Sequence, residues 1–521
     1  MKYYRTHILI SMDEISLRAG AKDIERSLVQ ELKKNNLQDE IAVLPTGSLG
    51  YFTQEVCILI LPDNVIYRNV KMEDIPEIVN EHLLKGRKVK RLIFGEVQSE
   101  GVNLDNQKRI VLEHSGIINP ESIEEYIGYE GYEAWLKALL KMEPDQIVDE
   151  VKKSGLRGRG GAGFPTGLKW SFTAPIKAEQ KFLLVNADEG EPGTFKDRLI
   201  MEGDPHKLIE GMMIAGYAIG ATKGFIYIRG EYKLCIARLQ NAIDQAHEYG
   251  FLGKNIFDSG FDYDIEIKVG AGAYVCGEET AMIESLEGKR GNPRVKPPFP
   301  GVAGIWQKPT VVNNVETIAN IPSIILKGAN WFSSIGTPQS CGTKVYTIMG
   351  DVLNPGLCEV NMGTTLRTII EEYAGGMLHG KKFKAALVGG AAGAFIPAQL
   401  LDIKMDFHNL SEYKAVLGSG AILVMSDEKC IAEMLWSILK FFRHESCGKC
   451  SPCNKGTEVL YKYITKVIHC KATEQDLKQM LSVAERMKIS LCALGQSPVM
   501  PIRSALEYFP EDFTGYLRKV Q

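Results

Sequence analysis

Cys447, Cys450 and Cys453 stand in the run ESCGKCSPC, and Cys492 lies further on in SLCALG. C-x-x-C-x-x-C can wrap three thiolates around one iron–sulfur cubane, with a distant cysteine completing the set. Zinc is the competing occupant, although structural zinc sites usually draw on two separated pairs. Cys430 and Cys470 are rival fourth ligands, but Cys492 has the small neighbours Ala493 and Gly495, which let a cluster come close. The expected site is a [4Fe–4S] cluster on Cys447, Cys450, Cys453 and Cys492.

A second concentration of chemistry is the stretch 154–170, SGLRGRGGAGFPTGLKW, with six glycines, Arg157, Arg159, Lys169, Phe164 and Trp170. Glycine at this density lets backbone N–H groups approach a bulky anion. With Phe172 just beyond, it reads as a cradle for a phosphate and a ring, against the alternative of a flexible linker. Gly158, Gly160 and Gly163 satisfy G-x-G-x-x-G, yet the dinucleotide fingerprint requires a preceding strand, and 145–153 reads as a helix. A Walker loop is excluded, because G-L-K is not G-K-[ST].

The acidic turn NADEGE (186–191) follows a short strand signal at 182–185, where open α/β sheets bind ligands. Its carboxylates suit general acid/base work or Mg²⁺, but beside the cradle they suit hydrogen bonding to a flavin ring and a ribose. A solvated acidic turn is the bland alternative. A second glycine loop, GAGAYVCGEETA (270–281), offers Tyr274, Gly277, and acids opening a helix. Cys276 reads as packing, with no nearby base to activate it. The basic, proline-stiffened run 289–301 carries Lys296 and Phe299, and Asn313, Asn314 and Thr317 add amide and hydroxyl partners.

The elements that must position these groups fall into four expected domains within 521 residues. The expected fold class is α/β multidomain. Residues 1–115 form a thioredoxin-like unit, with strands at 7–11 and 56–61, helices at 23–34 and 75–84, and Cys57 in its core. Helices are expected from 122 to 153, leading into a Rossmann-like cofactor domain (116–334) with a helix at 208–219 and a strand at 225–228. A β-grasp-like module (335–420) follows, with strands at 345–349 and 385–388 and a short helix at 366–373. A helical domain (421–521) carries Ile431, Met434, Leu435, Ile438 and Phe442 at helical spacing, and a helix at 474–488 to fold Cys492 back.

With 45% hydrophobic and 24% charged residues, the composition is that of a soluble globular protein. A net charge of -3 gives no reason to expect nucleic acid or an anionic membrane as a partner. No apolar run suits a signal peptide or a membrane span. An odd eleven cysteines, three of them clustered, point to metal ligation in a reducing cytoplasm rather than to a disulfide framework.

In this order, the cradle, acidic turn, second glycine loop and C-x-x-C-x-x-C resemble the NADH-binding, FMN-carrying flavoprotein subunit of respiratory complex I. They are equally similar to the diaphorase subunits of soluble NAD-linked hydrogenases and formate dehydrogenases, over roughly residues 120–521. The resemblance implies that Gly158, Gly160, Lys169, Asn186, Asp188, Tyr274, Gly277, Glu278, Asn313, Asn314 and Thr317 hold FMN. It implies that Phe164, Phe172, Glu191, Glu279, Lys296 and Phe299 line the NAD(H) pocket, and that the cysteine quartet binds [4Fe–4S]. The N-terminal unit resembles the thioredoxin-like extension of hydrogenase-type members, which usually ligates [2Fe–2S]. Here the ligand positions align with Ser11, Ser16, Ser48 and Phe52, so that cluster is expected to be lost. The chain also stops at Gln521 without the ferredoxin-like extension of many longer members, which leaves one cluster expected.

The implied activity is hydride exchange between NAD(H) and FMN, with single electrons passed to the cluster. No catalytic triad is required, because the cofactor carries the chemistry. The implied partners are a small [2Fe–2S] thioredoxin-like subunit and a further catalytic or iron–sulfur subunit. The alternatives are a non-catalytic iron–sulfur scaffold and a conventional Rossmann dehydrogenase; the latter has no use for a cluster.

Overall fold

The computed structural model of the chain describes residues 4–50, 55–94 and 107–518. Phe52 lies outside the described residues.

The N-terminal unit is a mixed sheet of β1 (Thr6–Ser11), β2 (Ile41–Thr46), β3 (Ile58–Leu61) and β4 (Val65–Tyr67) in the order β2-β1-β3-β4. The β1–β2 pair is parallel and the others are antiparallel. The helix Ala21–Lys34 buries Ile24, Leu28 and Leu32, the stripe that its sequence spacing implies. The regular helix expected at 75–84 is corrected: one α turn, Ile75–Glu77, widens into a π-helix over Ile78–Leu84. Ile75, Ile78, Val79 and Leu83 stay buried across the change. Cys57 is a core residue, 3% exposed.

The central sheet is wholly parallel. It comprises β5 (Phe182–Ala187), β6 (Lys223–Arg229), β7 (Asp264–Gly270) and β8 (Thr310–Asn314), in the order β7-β6-β5-β8. The chain winds outward from β5 to β7, then returns to place β8 on the other side of β5. That reversal opens a crevice beyond the carboxyl ends of β5 and β8. Side chains alternate across β5. Leu183 and Val185 join the core built with the helices Pro144–Lys153 and Pro205–Ile219, whereas Phe182 and Leu184 join the core that continues into the C-terminal helices.

A short ribbon, β9 (Gly336–Thr337) and β10 (Ser340–Cys341), leads into a five-stranded mixed sheet. Its strands are β11 (Thr343–Gly350), β12 (Gly356–Asn361), β13 (Phe383–Val388), β14 (Ala394–Pro397) and β15 (Ala421–Ser426), in the order β12-β11-β15-β13-β14. The expected helix at 366–373 is an α turn, Leu366–Thr368, followed by a π-helix, Ile369–Tyr373. The tail packs the helices Ile431–Glu445, Ser451–Ile468, Glu474–Arg486 and Val499–Tyr508 together. Among the described residues no helix is long and apolar enough to cross a membrane.

Candidate functional site

The glycine stretch leaves one helix, Pro144–Lys153, and enters another, Thr166–Thr173, so it is not the strand–loop–helix of a dinucleotide fingerprint. The loop closes on itself where the Gly158 N–H donates to the Phe164 carbonyl at 2.9 Å. Thr317 Oγ1 accepts the Arg159 N–H at 2.8 Å, which pins the loop over the end of β8. A Cβ on Gly160 would stand 2.9 Å from Cβ of Asn314, so only glycine permits this close approach.

The two arginines correct the reading of the cradle. Arg159 is 1% exposed, and its guanidinium donates to the carbonyls of Arg157 and Cys341. Arg157 donates to the Gly163 carbonyl and stacks on Phe407. Both guanidinium groups brace the loop, and Lys169 likewise donates to the Val312 carbonyl at 3.0 Å. Trp170, expected among the cradle's rings, is fully buried and donates its indole N–H to Asn313 Oδ1 at 2.9 Å. Phe164 (44% exposed) and Phe172 (59%) are the rings left open, and Phe299 (59%) is a third.

Past the end of β5, Asn186 donates from Nδ2 to the Gly277 carbonyl at 2.9 Å and accepts the Asp188 N–H at 3.0 Å. The acidic turn is thereby tied to the second glycine loop. Asp188 Oδ1 faces the Arg229 guanidinium at 3.2 Å. Its Oδ2 is buried and has no hydrogen-bond partner among the described residues. Burial pushes this carboxyl up to about 7 against the pull of Arg229. Glu191 instead turns toward the five-stranded sheet, accepting from the Ala392 N–H (3.1 Å) and the Ser419 hydroxyl (3.0 Å), and burial raises it to about 7.

Tyr274 and Gly277 bound a 3-10 turn, Tyr274–Gly277, and Glu278 caps the helix Glu279–Leu286 by accepting the Thr280 and Ala281 N–H groups, each at 2.9 Å. Lys296 bridges Glu278 (2.9 Å) and Glu279 (2.6 Å), and Lys169 stands 3.8 Å from Glu279. At the end of β8, Asn314 donates to Asp197 Oδ2 at 2.6 Å. Beneath it runs a buried chain of charges that the sequence does not announce. Lys196 lies between Asp197 (2.6 Å) and Glu316 (2.9 Å), and Lys344 of β11 reaches Glu316 at 2.6 Å. Burial depresses Lys344 to about 8, although Glu316 supports its charge.

Cys447, Cys450, Cys453 and Cys492 line one small cavity together with Val275, Pro293, Gly448, Lys449, Leu491 and Leu494. Cys430 and Cys470 do not line it. Cys450 caps the 18-residue helix Ser451–Ile468, and Cys453 lies in its first turn, where the helix dipole favours thiolates. A Cβ on Gly495 would meet Cys453 Cβ at 2.8 Å, so the small residue beside Cys492 does admit its neighbour. Burial and the neighbouring thiols push Cys453 up to about 11, against a hydrogen bond from Ser446. Such crowded sulfurs ionise together only around cations, which iron supplies. Among the described residues no three Cys, His, Asp or Glu side chains converge tightly enough for a single metal ion. Four thiolates around one cavity are a donor set that a [4Fe–4S] cluster can use, and the orphaned Asp188 oxygen with the close-fitting Gly160 fits a flavin.

Cavity and cradle meet in one turn. Val275 lines the cysteine cavity between Tyr274 and Gly277, and Tyr274 N–H donates at 3.0 Å to Glu445, two residues before Cys447. Arg229, Glu445, Ser419 and the Lys196–Glu316–Lys344 chain contact the candidate site residues and were not singled out from the sequence.

Residues 151–323 match the model of the Nuo51 FMN-binding domain, and residues 433–516 match the NADH-ubiquinone oxidoreductase-F iron-sulfur binding region. The NADP-reducing hydrogenase subunit HndC of Solidesulfovibrio fructosivorans is 51% identical over 412 residues, 79% of this chain and 84% of that protein. An NADH-quinone oxidoreductase subunit of Aquifex aeolicus is 49% identical over 399 residues, 76% of this chain and 92% of that one. A chain in the crystal structure of an NAD+-reducing [NiFe]-hydrogenase in the H2-reduced state superimposes with a TM-score of 0.71 at 31% identity, covering 99% of this chain and 85% of its own. The chain belongs to the family of NADH-binding FMN and [4Fe–4S] subunits of complex I and of NAD(P)-reducing hydrogenases.

Proposed function

We propose that this chain is the nucleotide-oxidising subunit of a soluble multisubunit oxidoreductase, working with NAD(H) and delivering electrons through its [4Fe–4S] cluster to a partner subunit. The observation that carries the proposal is the shared turn. The loop holding Tyr274 and Gly277 also contributes Val275 to the cysteine cavity, so both cofactor sites abut one short segment. Bound FMN would accept a hydride from the nicotinamide and release single electrons.

The chain's own residues would do the rest. Gly158, Gly160, Lys169, Asn313, Asn314 and Thr317 would seat the flavin at the β8 end of the crevice, and Asn186, Asp188, Tyr274, Gly277 and Glu278 at the β5 end. The open rings of Phe164, Phe172 and Phe299 would flank the nucleotide bases, with Lys296 and Glu279 around them; Glu191 would have to leave Ala392 and Ser419 to join that pocket. Lys296 holds Glu278 and Glu279 together without a ligand and would exchange one of them for a nucleotide group. A carboxylate at Glu279 toward a ribose would repel a 2′-phosphate. Glu279→Gln should raise kcat/KM with NADPH by roughly tenfold relative to NADH. An unchanged ratio would remove Glu279 from nucleotide choice.

The proposed division is a thioredoxin-like unit at 1–115, a Rossmann-like flavin domain at 116–334, a β-grasp module at 335–420 and a helical cluster domain at 421–521; the first and third each have a core of their own, whereas the other two cores run across the proposed boundaries. The expected partners are a small [2Fe–2S] thioredoxin-like subunit and a further catalytic or iron–sulfur subunit. Eleven free cysteines suit the cytoplasm. The test is anaerobic purification with visible spectra before and after NADH and NADPH. Bleaching of a flavin band by NADH supports the reading; iron with no reducible flavin would favour the scaffold.

A further inference from the structure

Arg229 ends β6 and belongs to neither the acidic turn nor the second glycine loop, yet both are built around it. Its Nη1 faces Asp188 Oδ1 at 3.2 Å, and its Nε donates to Glu231 Oε1 at 2.6 Å. The guanidinium is 14% exposed and the Asp188 side chain 1%. Two glycines make room for it. A Cβ on Gly190, in the acidic turn, would collide with Arg229 Nη1, and one on Gly272, in the second glycine loop, would stand 3.3 Å from Nη2. Gly272 also has φ +83°, which a side chain would strain. One planar cation therefore joins the turn after β5 to the loop after β7.

The electrostatics around Asp188 are lopsided. The charged groups acting on it most strongly are Arg229, Glu231 and Glu445, so Arg229 is the sole cation among them. Tyr227, Tyr274 and Cys276 are its neutral titratable neighbours. With Oδ1 held by the guanidinium, Oδ2 is the buried oxygen left without a partner among the described residues. A flavin's imide edge offers one N–H between two carbonyls, the complement such an oxygen requires.

We propose that Arg229 is a positioning residue for the flavin: it fixes Asp188 with Oδ2 toward the ring's imide edge, and its charge makes the flavin easier to reduce. This rests on the flavin site proposed above. A fixed positive charge in a largely buried site favours the added negative charge of the reduced ring, and removing it disfavours reduction. Lysine would keep the charge but lose the fork that spans Asp188 and Glu231. Glu231 opposes Arg229, and its side chain is 51% exposed, so it can be neutralised with little risk to the fold.

The experiment is a spectroelectrochemical titration of the flavin in the full holo chain, with FMN affinity of the stripped protein followed by flavin fluorescence. Arg229→Gln should lower the reduced-to-oxidised ratio at a fixed potential about tenfold, about 30 mV for a two-electron couple. Arg229→Lys should restore that ratio to within about threefold of the original while binding FMN more weakly. Glu231→Gln should move the ratio the opposite way, upward, and decides the matter if Arg229→Gln does not fold. A ratio unchanged in Arg229→Gln, or unchanged or lowered in Glu231→Gln, overturns the proposal. Failure of the unaltered chain to bind FMN would instead overturn the flavin site itself.

Discussion

The two ends of the molecule treat comparable donor groups in opposite ways. At the C-terminal end four cysteines ring a cavity, with burial and mutual crowding holding Cys453 in its neutral form. At the N-terminal end, Ser11 donates to Asp13 Oδ2 at 2.8 Å, Ser16 donates to Ser11 at 3.0 Å, and Ser48 accepts the Gly50 N–H at 3.2 Å. All three serines are buried. Their hydroxyls are satisfied within the fold, and the segment they occupy is pressed against the flavin domain. Arg238 donates to Met12 O at 2.9 Å and Glu202 O at 2.6 Å, and Glu14 N–H donates to Glu202 at 3.1 Å. The four thiols face one cavity, whereas the serines bond within their own segment, which helps to hold two domains together. On that comparison we propose that the N-terminal unit acts as a docking element against the flavin domain.

The largest effect should follow from breaking the cysteine end. Cys450→Ala or Cys492→Ala should drop iron from about four per chain to near zero, measured by iron assay on anaerobic protein. Ser11→Ala should leave iron unchanged. Loss of iron in the serine variant would erase the distinction. Next comes the cradle between the two ends. Gly160→Ala forces a methyl against Asn314 and should cost about 1–3 kcal/mol, about 5- to 150-fold in FMN affinity. Normal FMN retention on a desalting column would show that the close approach does not matter.

At the serine end, Ser11→Ala combined with Ser16→Ala leaves buried Asp13 short of a donor and should cost about 1–3 kcal/mol. Protection from hydrogen exchange should fall in 6–20 and in the facing Lys196–Gly203 helix, while the flavin spectrum stays as it was. Protection lost around the cysteines instead would contradict the docking role.

The smallest expected effect is pH dependence at the same seam. Burial pushes Glu202 up to about 7, Arg198 opposing and Asp13 adding to it. Its unfolded counterpart titrates near about 4.3. An acid with a raised folded pKa holds its proton more tightly when folded, so this contribution is complete below about pH 4.3. It is lost progressively as pH rises to about 7, and beyond that it is flat. Asp188 and Glu191, also near 7, add slopes of the same sign. Glu202→Gln should flatten part of the decline in melting temperature between about pH 5 and 7; an identical decline would exclude Glu202.

What was legible in sequence was local chemistry. The C-x-x-C-x-x-C run, the glycine loops and the Asn186–Asp188 turn carry their meaning within a dozen residues, and Cys492 could be chosen over Cys430 and Cys470 from its small neighbours. The strands at 182–185 and 225–228 showed as apolar runs. β7 was missed because its sequence DIEIKVG alternates with charge, and β8 because only TVV precedes its asparagines. The misread arginines have a different cause. Whether a guanidinium faces a ligand or a carbonyl depends on β10, which is 182 residues beyond Arg159. Lys344 meets Glu316 across 28 residues and a domain boundary, and Arg229 reaches Asp188 across 41, so no periodicity reports either pair. Burial, which turns these pairs into determinants of the site, is a property of the assembled molecule.

The central claim is that the satisfied serine end holds no cluster and the cysteine end holds one. Quantifying iron and flavin per chain in anaerobically purified protein, reconstituted with excess iron and sulfide, tests it most directly. The account predicts about four irons and one FMN. About six irons, four removed by Cys450→Ala and two surviving, would contradict it by locating a second cluster in the N-terminal unit.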